Sequence, residues 1–187
     1  MDRRIADLLL SWTGLCVAIV LLVAGGLLLY GSSYVQNQVR DQLAAQKIFF
    51  PPADSPAVEG PQFAPMRQYG GQQLTTGPQA QTYADHFIGV HLEEVGGGKT
   101  YAELSSEAQA NPENAALQDQ VQTLFRGTTL RGMLLNAYAF WTVGTIARYA
   151  AIVTLVGGVA VLALAALGFV HAGRVRRRDV TPLDRGD

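Results

Sequence analysis

Two uncharged apolar runs constrain this chain more than any other feature. Neither Leu8–Tyr30 nor Tyr149–Val170 contains an Asp, Glu, Lys or Arg, and the second ends in AIVTLVGGVAVLALAALGFV. A helix of about 20 apolar residues crosses a bilayer core of roughly 30 Å. Both runs therefore read as transmembrane helices, and they divide the chain. Residues 1–7 form a short cytoplasmic tail and 8–30 the first span. Residues 31–148 form an extracytoplasmic, mostly helical domain, 149–170 the second span, and 171–187 a basic cytoplasmic tail. The fold class expected is an all-α membrane protein. Its two spans extend outward as an antiparallel helical hairpin, capped by short helices and a Pro/Gly-rich loop.

The flanking charges orient the spans. Arg3 and Arg4 precede the first, while Arg174, Arg176, Arg177 and Arg178 follow the second. The positive-inside rule then places both termini in the cytoplasm of a cell membrane, as an even number of spans requires. Between the spans, Arg40, Lys47, Arg67, Lys99, Arg126, Arg131 and Arg148 stand against ten acids, an excess of three negatives. The first run is longer than a signal-peptide core and no clear A-x-A site follows it, so it reads as an uncleaved anchor. The sole cysteine, Cys16, lies within that run and can form no intrachain disulfide. A net charge of −1 gives no electrostatic footprint for nucleic acid.

The first span continues without a stop signal into GSSYVQNQVRDQLAAQ, where Val35, Val39 and Leu43 recur four apart. This predicts one helix from about Ala6 to about Gln46. Pro51-Pro52 then imposes extended backbone. Residues 51–76 are rich in Pro, Gly, Gln and Ser without apolar period, and read as a surface loop draped over the helices, with room for a short strand or two. Gly77-Pro78 opens a helix bearing Ala80, Ala84, Phe87, Ile88, His91 and Val95, which Gly96-Gly97-Gly98 ends. Thr100-x-x-Glu103 is a capping box that starts a helix over Tyr101–Ala110. Asn111-Pro112-Glu113 reads as the cap and first turn of the next, with Leu117, Val121, Leu124 and Phe125 on its apolar face. Gly127-Thr128 either breaks or weakens that helix before Leu130, Met133, Leu134, Ala137, Phe140 and Trp141 carry the stripe into the second span. A helix over Leu130–His171 would be roughly 60 Å long, about twice the hydrocarbon thickness, so its surplus should project outward. Gly25, Gly26, Gly157 and Gly158 would let the spans approach closely.

The segment His91–Leu104, HLEEVGGGKTYAEL, resembles a family of two-span actinobacterial membrane proteins with the same order of parts. That family has a Q-L-x-x-x-x-I stretch, matched by Gln42-Leu43 and Ile48, then G-P at Gly77-Pro78 and a helix ending in a histidine at His91. G-G-K-T-Y-A-E-L follows at Gly97–Leu104, and the second span is entered through Leu130-Arg131-Gly-Met-Leu134. The resemblance covers roughly residues 8–171 and departs in the loop 51–76, which looks longer. It implies the fold and no activity. Some members are labelled aromatic ring-opening dioxygenases, a chemistry that usually needs iron held by two histidines and a carboxylate. Of the three histidines, His171 falls at the cytoplasmic face. His86 and His91, five apart on a regular helix, would point about 140° apart and could not share an ion.

The remaining motifs have bland explanations. Gly98-Lys99-Thr100 looks like the end of a phosphate-binding loop, but Glu93 occupies the position where that loop needs glycine. A helix stop followed by a helix start accounts for it. His91 on an apolar face reads as a hydrogen-bonded core histidine, and His86 as a solvated one within reach of Asp85 or Glu93. Glu93-Glu94 and Glu103/Glu107 read as solvent-facing acids. The arginines at 174–178 are first a topology signal, with anionic lipid headgroups as a secondary partner. Neither span contains an internal Asp, Glu, Lys or Arg, so a proton or ion pathway through one copy has no obvious carriers. No catalytic, cofactor-binding or metal-binding residue is nominated, and no cofactor. The expected partners are the lipid bilayer and either a membrane protein or further copies of this chain, with no nucleic acid. The sequence thus suggests a non-catalytic accessory or scaffold component acting through its extracytoplasmic helices. The alternative is an extracytoplasmic ligand sensor or regulator that signals through a partner, because its cytoplasmic tails are short.

Overall fold

A computed structural model describes residues 3–179, and these are helical almost throughout. Five α-helices occur in chain order: α1 (Arg3–Ala45), α2 (Gly77–Tyr83), α3 (Gly89–Gly96), α4 (Tyr101–Ala110) and α5 (Ala115–Asp179). A π-turn, Ala84–Ile88, joins α2 to α3, and two 3-10 helices, Pro56–Val58 and Pro61–Tyr69, occupy the stretch after α1. Among the described residues the only extended pairing is one antiparallel bridge, Phe49 with Gln73. The tail residues 180–187 lie outside the described part. Of the arginines at 174–178, only the side chain of Arg174 lies within it.

Contacts divide the chain into two compact units, Met1–Ser33 with Thr145–Asp187, and Tyr34–Gly144. In the first unit, α1 and α5 pack with opposite chain directions. A Cβ at Gly14 would lie 3.3 Å from Ala165 Cβ, and one at Gly25 would lie 2.7 Å from Leu155 Cγ. At Gly158 it would meet Leu22 Cδ2 at 3.0 Å, and at Gly168 it would overlap Ser11 Oγ. The buried positions are small and seven residues apart: Ser11, Ala18, Gly25 and Ser32 on α1, and Ala151, Gly158, Ala165 and Ala172 on α5. A seven-residue repeat keeps one seam facing its partner, and small side chains bring the backbones close. Of the four glycines singled out by sequence, Gly25 and Gly158 serve this seam. Gly26 and Gly157 face away, since a Cβ added at either would have nothing within 4 Å. Trp12 meets Phe169 edge-on at 5.5 Å.

Both long helices are long and apolar enough to cross a membrane. In the most apolar window of each, only 11% and 17% of the residues are buried. A core helix of a water-soluble protein hides its apolar side chains, and these stand exposed instead.

The second unit corrects the reading of residues 51–76 as a drape. Its main core comprises Val39, Leu43, Phe50, Val58, Phe63, Met66, Leu74, Ala80, Ala84 and Leu134. Half of these ten, Phe50, Val58, Phe63, Met66 and Leu74, come from residues 50–74. The stretch is pinned at several points. Phe50 N–H donates to Gln72 O at 2.9 Å and Leu74 N–H to Ile48 O at 2.9 Å. The Gln73 side-chain amide caps the α1 carbonyl of Ala44 at 2.8 Å. Arg67 donates to Val58 O at 3.3 Å and Gly60 O at 2.7 Å, tying the two 3-10 helices together. Lys47, at φ 53°, takes the left-handed conformation that ends α1. The short strands allowed for reduce to the single bridge.

Elsewhere the local signals act as read. Thr76 and Gln79 make a capping box ahead of α2, and Thr100 and Glu103 another ahead of α4. Gly97, at φ 59°, closes α3 in the left-handed conformation. Two expectations need correction. Residues 111–113 precede the last helix rather than open it, because its cap is Asn114, whose Oδ1 accepts from Leu117 N–H at 3.2 Å. Gly127 does not interrupt α5. It makes room for α3, since a Cβ there would overlap Leu92. That contact seats a second core of Leu104, Ala108, Val121 and Leu124, flanked by Leu92, Val95 and Leu117.

Candidate functional site

The Tyr34–Gly144 unit contains an open cleft of about 680 Å3. One wall is the C-terminal part of α1, with Val39, Gln42 and Leu43, continued by Gln46 and Ile48. The opposite wall is α5, with Leu130, Met133, Leu134, Asn136, Ala137 and Phe140. Tyr83, Phe87 and Ile88, at and within the π-turn, close one side. The spacing on α5 is helical, so Leu130, Met133, Ala137 and Phe140 form one stripe. Leu134 from the same helix is buried in the core, while Met133 and Phe140 remain 62% and 61% exposed. Large apolar side chains therefore stand exposed along this face of α5.

The cleft's chemistry is narrow. Among the described residues lining it there is no carboxylate, ammonium, guanidinium or imidazole group. Its polar groups are the amides of Gln42, Gln46 and Asn136 and the Tyr83 hydroxyl. Burial pushes the Tyr83 phenol above its ordinary pKa, so it stays neutral at physiological pH. Such a lining can bind an apolar object and orient it through a few neutral hydrogen bonds. It offers no general acid or base near neutrality and no anionic ligand for a metal.

The π-turn that shapes this wall is held from α5. Arg131 Nη2 pairs with Asp85 Oδ1 at 2.8 Å, and its Nε–H donates to Ala84 O at 3.3 Å. The Ala84 carbonyl also accepts from Gly89 N–H, the widened bond of the turn. Extra-wide turns of this kind occur frequently at functional sites.

The structure revises both histidine readings. His91 is exposed rather than buried in the core. Its Nδ1 lies 2.7 Å from Phe87 O, and its ring lies 4.5 Å from Phe87 and 5.9 Å from Phe63. His86 is half-buried, with Nδ1 3.1 Å from Gln62 O, and its neighbour Asp85 is committed to Arg131. The π-turn unwinds the helix between them, so the 140° separation of a regular helix does not describe this pair. Both approach the same 3-10 helix, at Gln62 and Phe63. Among the described residues, no three His, Cys, Asp or Glu side chains gather as a metal would require.

The phosphate-loop lookalike also has its geometry assigned. Gly98 N–H donates to Glu93 O at 3.1 Å and Lys99 N–H to Gly96 O at 3.1 Å, so these amides close α3. Lys99 Nζ pairs with Glu107 at 2.6 Å. Glu103 is held in the capping box of α4, where Thr100 N–H and Oγ1 each donate to its carboxylate at 2.7 Å. The cleft itself was not singled out by sequence, although the stripe Leu130, Met133, Ala137 and Phe140 was visible as a stripe. Its opposite wall could not be placed without knowing that residues 48–74 fill the core and leave α5 open.

No protein-family model, curated protein or solved structure matches this chain.

Proposed function

We propose that this chain is a non-catalytic integral membrane protein of the cell membrane whose Tyr34–Gly144 unit is a binding platform for a membrane-protein partner. In this reading residues 8–30 and 149–170 are the spans, both termini are cytoplasmic, and the two long helices extend outward as an antiparallel hairpin capped by the short helices. The observation that carries the reading is the open cleft, mostly apolar on both walls and lined by no group charged at neutral pH. Two supports stand beside it. The apolar side chains of both long helices are exposed over the windows long enough to cross a bilayer. The small-residue seam also pairs the first run with the last, a contact that an anchor would keep.

A cleft between two helices accepts a third amphipathic helix, whose i, i+3, i+4, i+7 side chains fill it. The protein would then act as an accessory or scaffold subunit. A photo-crosslinking residue at Met133, in native membranes, should capture one protein in stoichiometric yield. The same probe at Gln122, outside the cleft lining, should not. Capture must also fall when Leu130→Asp is added. Equal capture from both positions, or indifference to Leu130→Asp, would sink the platform reading.

The cleft's size favours a second reading, since 680 Å3 lies within the range of small-molecule pockets. A sensor would bind an uncharged, largely apolar ligand there and pull on the π-turn through Phe87 and Ile88. A probe at Met133 that captures no protein, from a chain found alone in the membrane, would shift the reading to this one.

A further inference from the structure

The Met1–Ser33 and Thr145–Asp187 unit carries its own groove, about 760 Å3, between α1 and α5. Most of its lining is apolar, including Leu10, Val17, Leu164 and Leu167. Its floor is shallow because the seam there is built from Gly14, Ala165 and Gly168. At one end the chemistry changes, and Asp7, His171 and Arg174 line the same groove. Asp7 is half-buried, while Arg174 and His171 are exposed. A trough with apolar walls that ends in one carboxylate, one guanidinium and the imidazole of His171 matches a particular object. Acyl chain lies along the apolar length, and a headgroup with both charges sits at the end.

We propose that this groove is a site for a zwitterionic aminophospholipid, with the lipid phosphate on Arg174 and the primary ammonium on Asp7. Arg is suited to phosphate because its planar fork gives two parallel N–H donors. A carboxylate only accepts hydrogen bonds, and a primary ammonium brings three donors. A choline headgroup carries the same charge but no N–H, so it satisfies Arg174 and not Asp7. A phosphatidylglycerol headgroup puts the same phosphate on Arg174 but brings only uncharged hydroxyls to Asp7, so it forms no ion pair there. Asp7 therefore sets the selectivity and Arg174 the affinity. The proposal rests on the membrane reading above, and not on the cleft of the other unit.

The test uses the full chain, purified in mild detergent, delipidated, and titrated with palmitoyl-oleoyl phosphatidylethanolamine, phosphatidylcholine or phosphatidylglycerol. Retained lipid is read by native mass spectrometry. Phosphatidylethanolamine should bind about tenfold more tightly than either of the others. Asp7→Asn should erase the preference over phosphatidylcholine, and Arg174→Gln should weaken all three, with Arg174→Lys restoring part of the loss. Retention of the helical circular dichroism signal by each variant shows that it still folds. Equal binding of the three headgroups, preference for phosphatidylglycerol, or an Asp7→Asn variant with unchanged selectivity would each overturn the site. Alkaline carbonate separates the two readings. A protein released from membranes without detergent refutes the membrane reading and the lipid site together, whereas one that stays membrane-bound and shows no headgroup preference refutes the site alone.

Discussion

Phe49 and Phe50 are adjacent in sequence and have opposite roles, which makes them a sharp test of the core built from the proline-rich stretch. Phe50 is 2% exposed and Phe49 is 56% exposed. The Phe50 ring lies 5.2 Å from Tyr69 and 5.3 Å from Tyr83, the latter edge-on. Truncating a buried Phe to Ala costs about 3–5 kcal/mol through lost transfer energy and the cavity left behind. The two ring contacts place Phe50→Ala at about 4 kcal/mol, toward the middle of that range. That is about a thousandfold rise in the opened population of this unit. With a urea slope of about 2 kcal/mol per molar, the midpoint should drop by about 2 M. Phe50→Leu keeps most of the volume and should cost about 1–2 kcal/mol. Phe49→Ala should stay within about 0.5 kcal/mol of the parent, as exposed positions do. The assay is urea unfolding in mild detergent, followed by Trp141 emission in a Trp12→Phe background. Trp141 packs against the same core, and these are the only two tryptophans. A Phe50→Ala midpoint matching that of Phe49→Ala would refute the reasoning, because residues 50–74 would then be a drape after all.

Two further outcomes follow from local geometry. Gly25→Val should loosen the α1–α5 seam by about 1–3 kcal/mol, because the added Cβ meets Leu155 at 2.7 Å, while Gly26→Val should be silent. Thermal midpoints of the two variants in detergent check this, and equal midpoints would contradict the seam. For α4, the backbone hydrogen bond from Thr100, its hydroxyl, and nearby Lys99 hold the Glu103 carboxyl below its ordinary pKa. The unfolded chain therefore takes up this proton at a higher pH than the folded one. The cap's contribution is whole at neutral pH and fades as acidification passes about pH 4.3 and continues to the folded value. Amide exchange in the first turn of α4 should accelerate over that acid window in the parent and lose this pH dependence in Glu103→Gln. The same acceleration in both would show that the cap is not responsible.

The parts of this fold legible in sequence are those set by local rules. Helix α1 ends within a residue of its expected limit, where Lys47 at φ 53° turns the chain out of the helix ahead of Pro51-Pro52. Helix α4 matches its predicted range, since Thr100 and Glu103 satisfy the first amides and the glycines before them stop α3. What sequence reading missed lay in periods other than 3.6. Phe63, Met66 and Tyr69 are spaced by three, and a 3-10 helix, with three residues per turn, stacks them on one face. Against the α-helical period the same residues look patternless. The seam between the long helices was likewise hidden by attention to glycine pairs, whereas the small residues recur every seventh position from Ser11 to Ser32 and from Ala151 to Ala172. The π-turn had no visible signal. Arg131, distant in sequence, bonds to Ala84 O and Asp85 at this turn, and the turn leaves both histidines outside their expected settings. The candidate cleft was therefore half legible: its α5 wall was a readable stripe, and its closure by Tyr83, Phe87 and Ile88 was not.

The central claim is that two spans hold the middle of this chain on the opposite face of the membrane from both tails. Single-cysteine labelling tests it most directly, because Cys16 is the sole cysteine and can be replaced by serine. In intact cells, a membrane-impermeant maleimide should label Asp54→Cys and leave Asp184→Cys unlabelled until the cells are permeabilised. Labelling of both positions in intact cells, protection of both, or the reverse pattern would contradict the account.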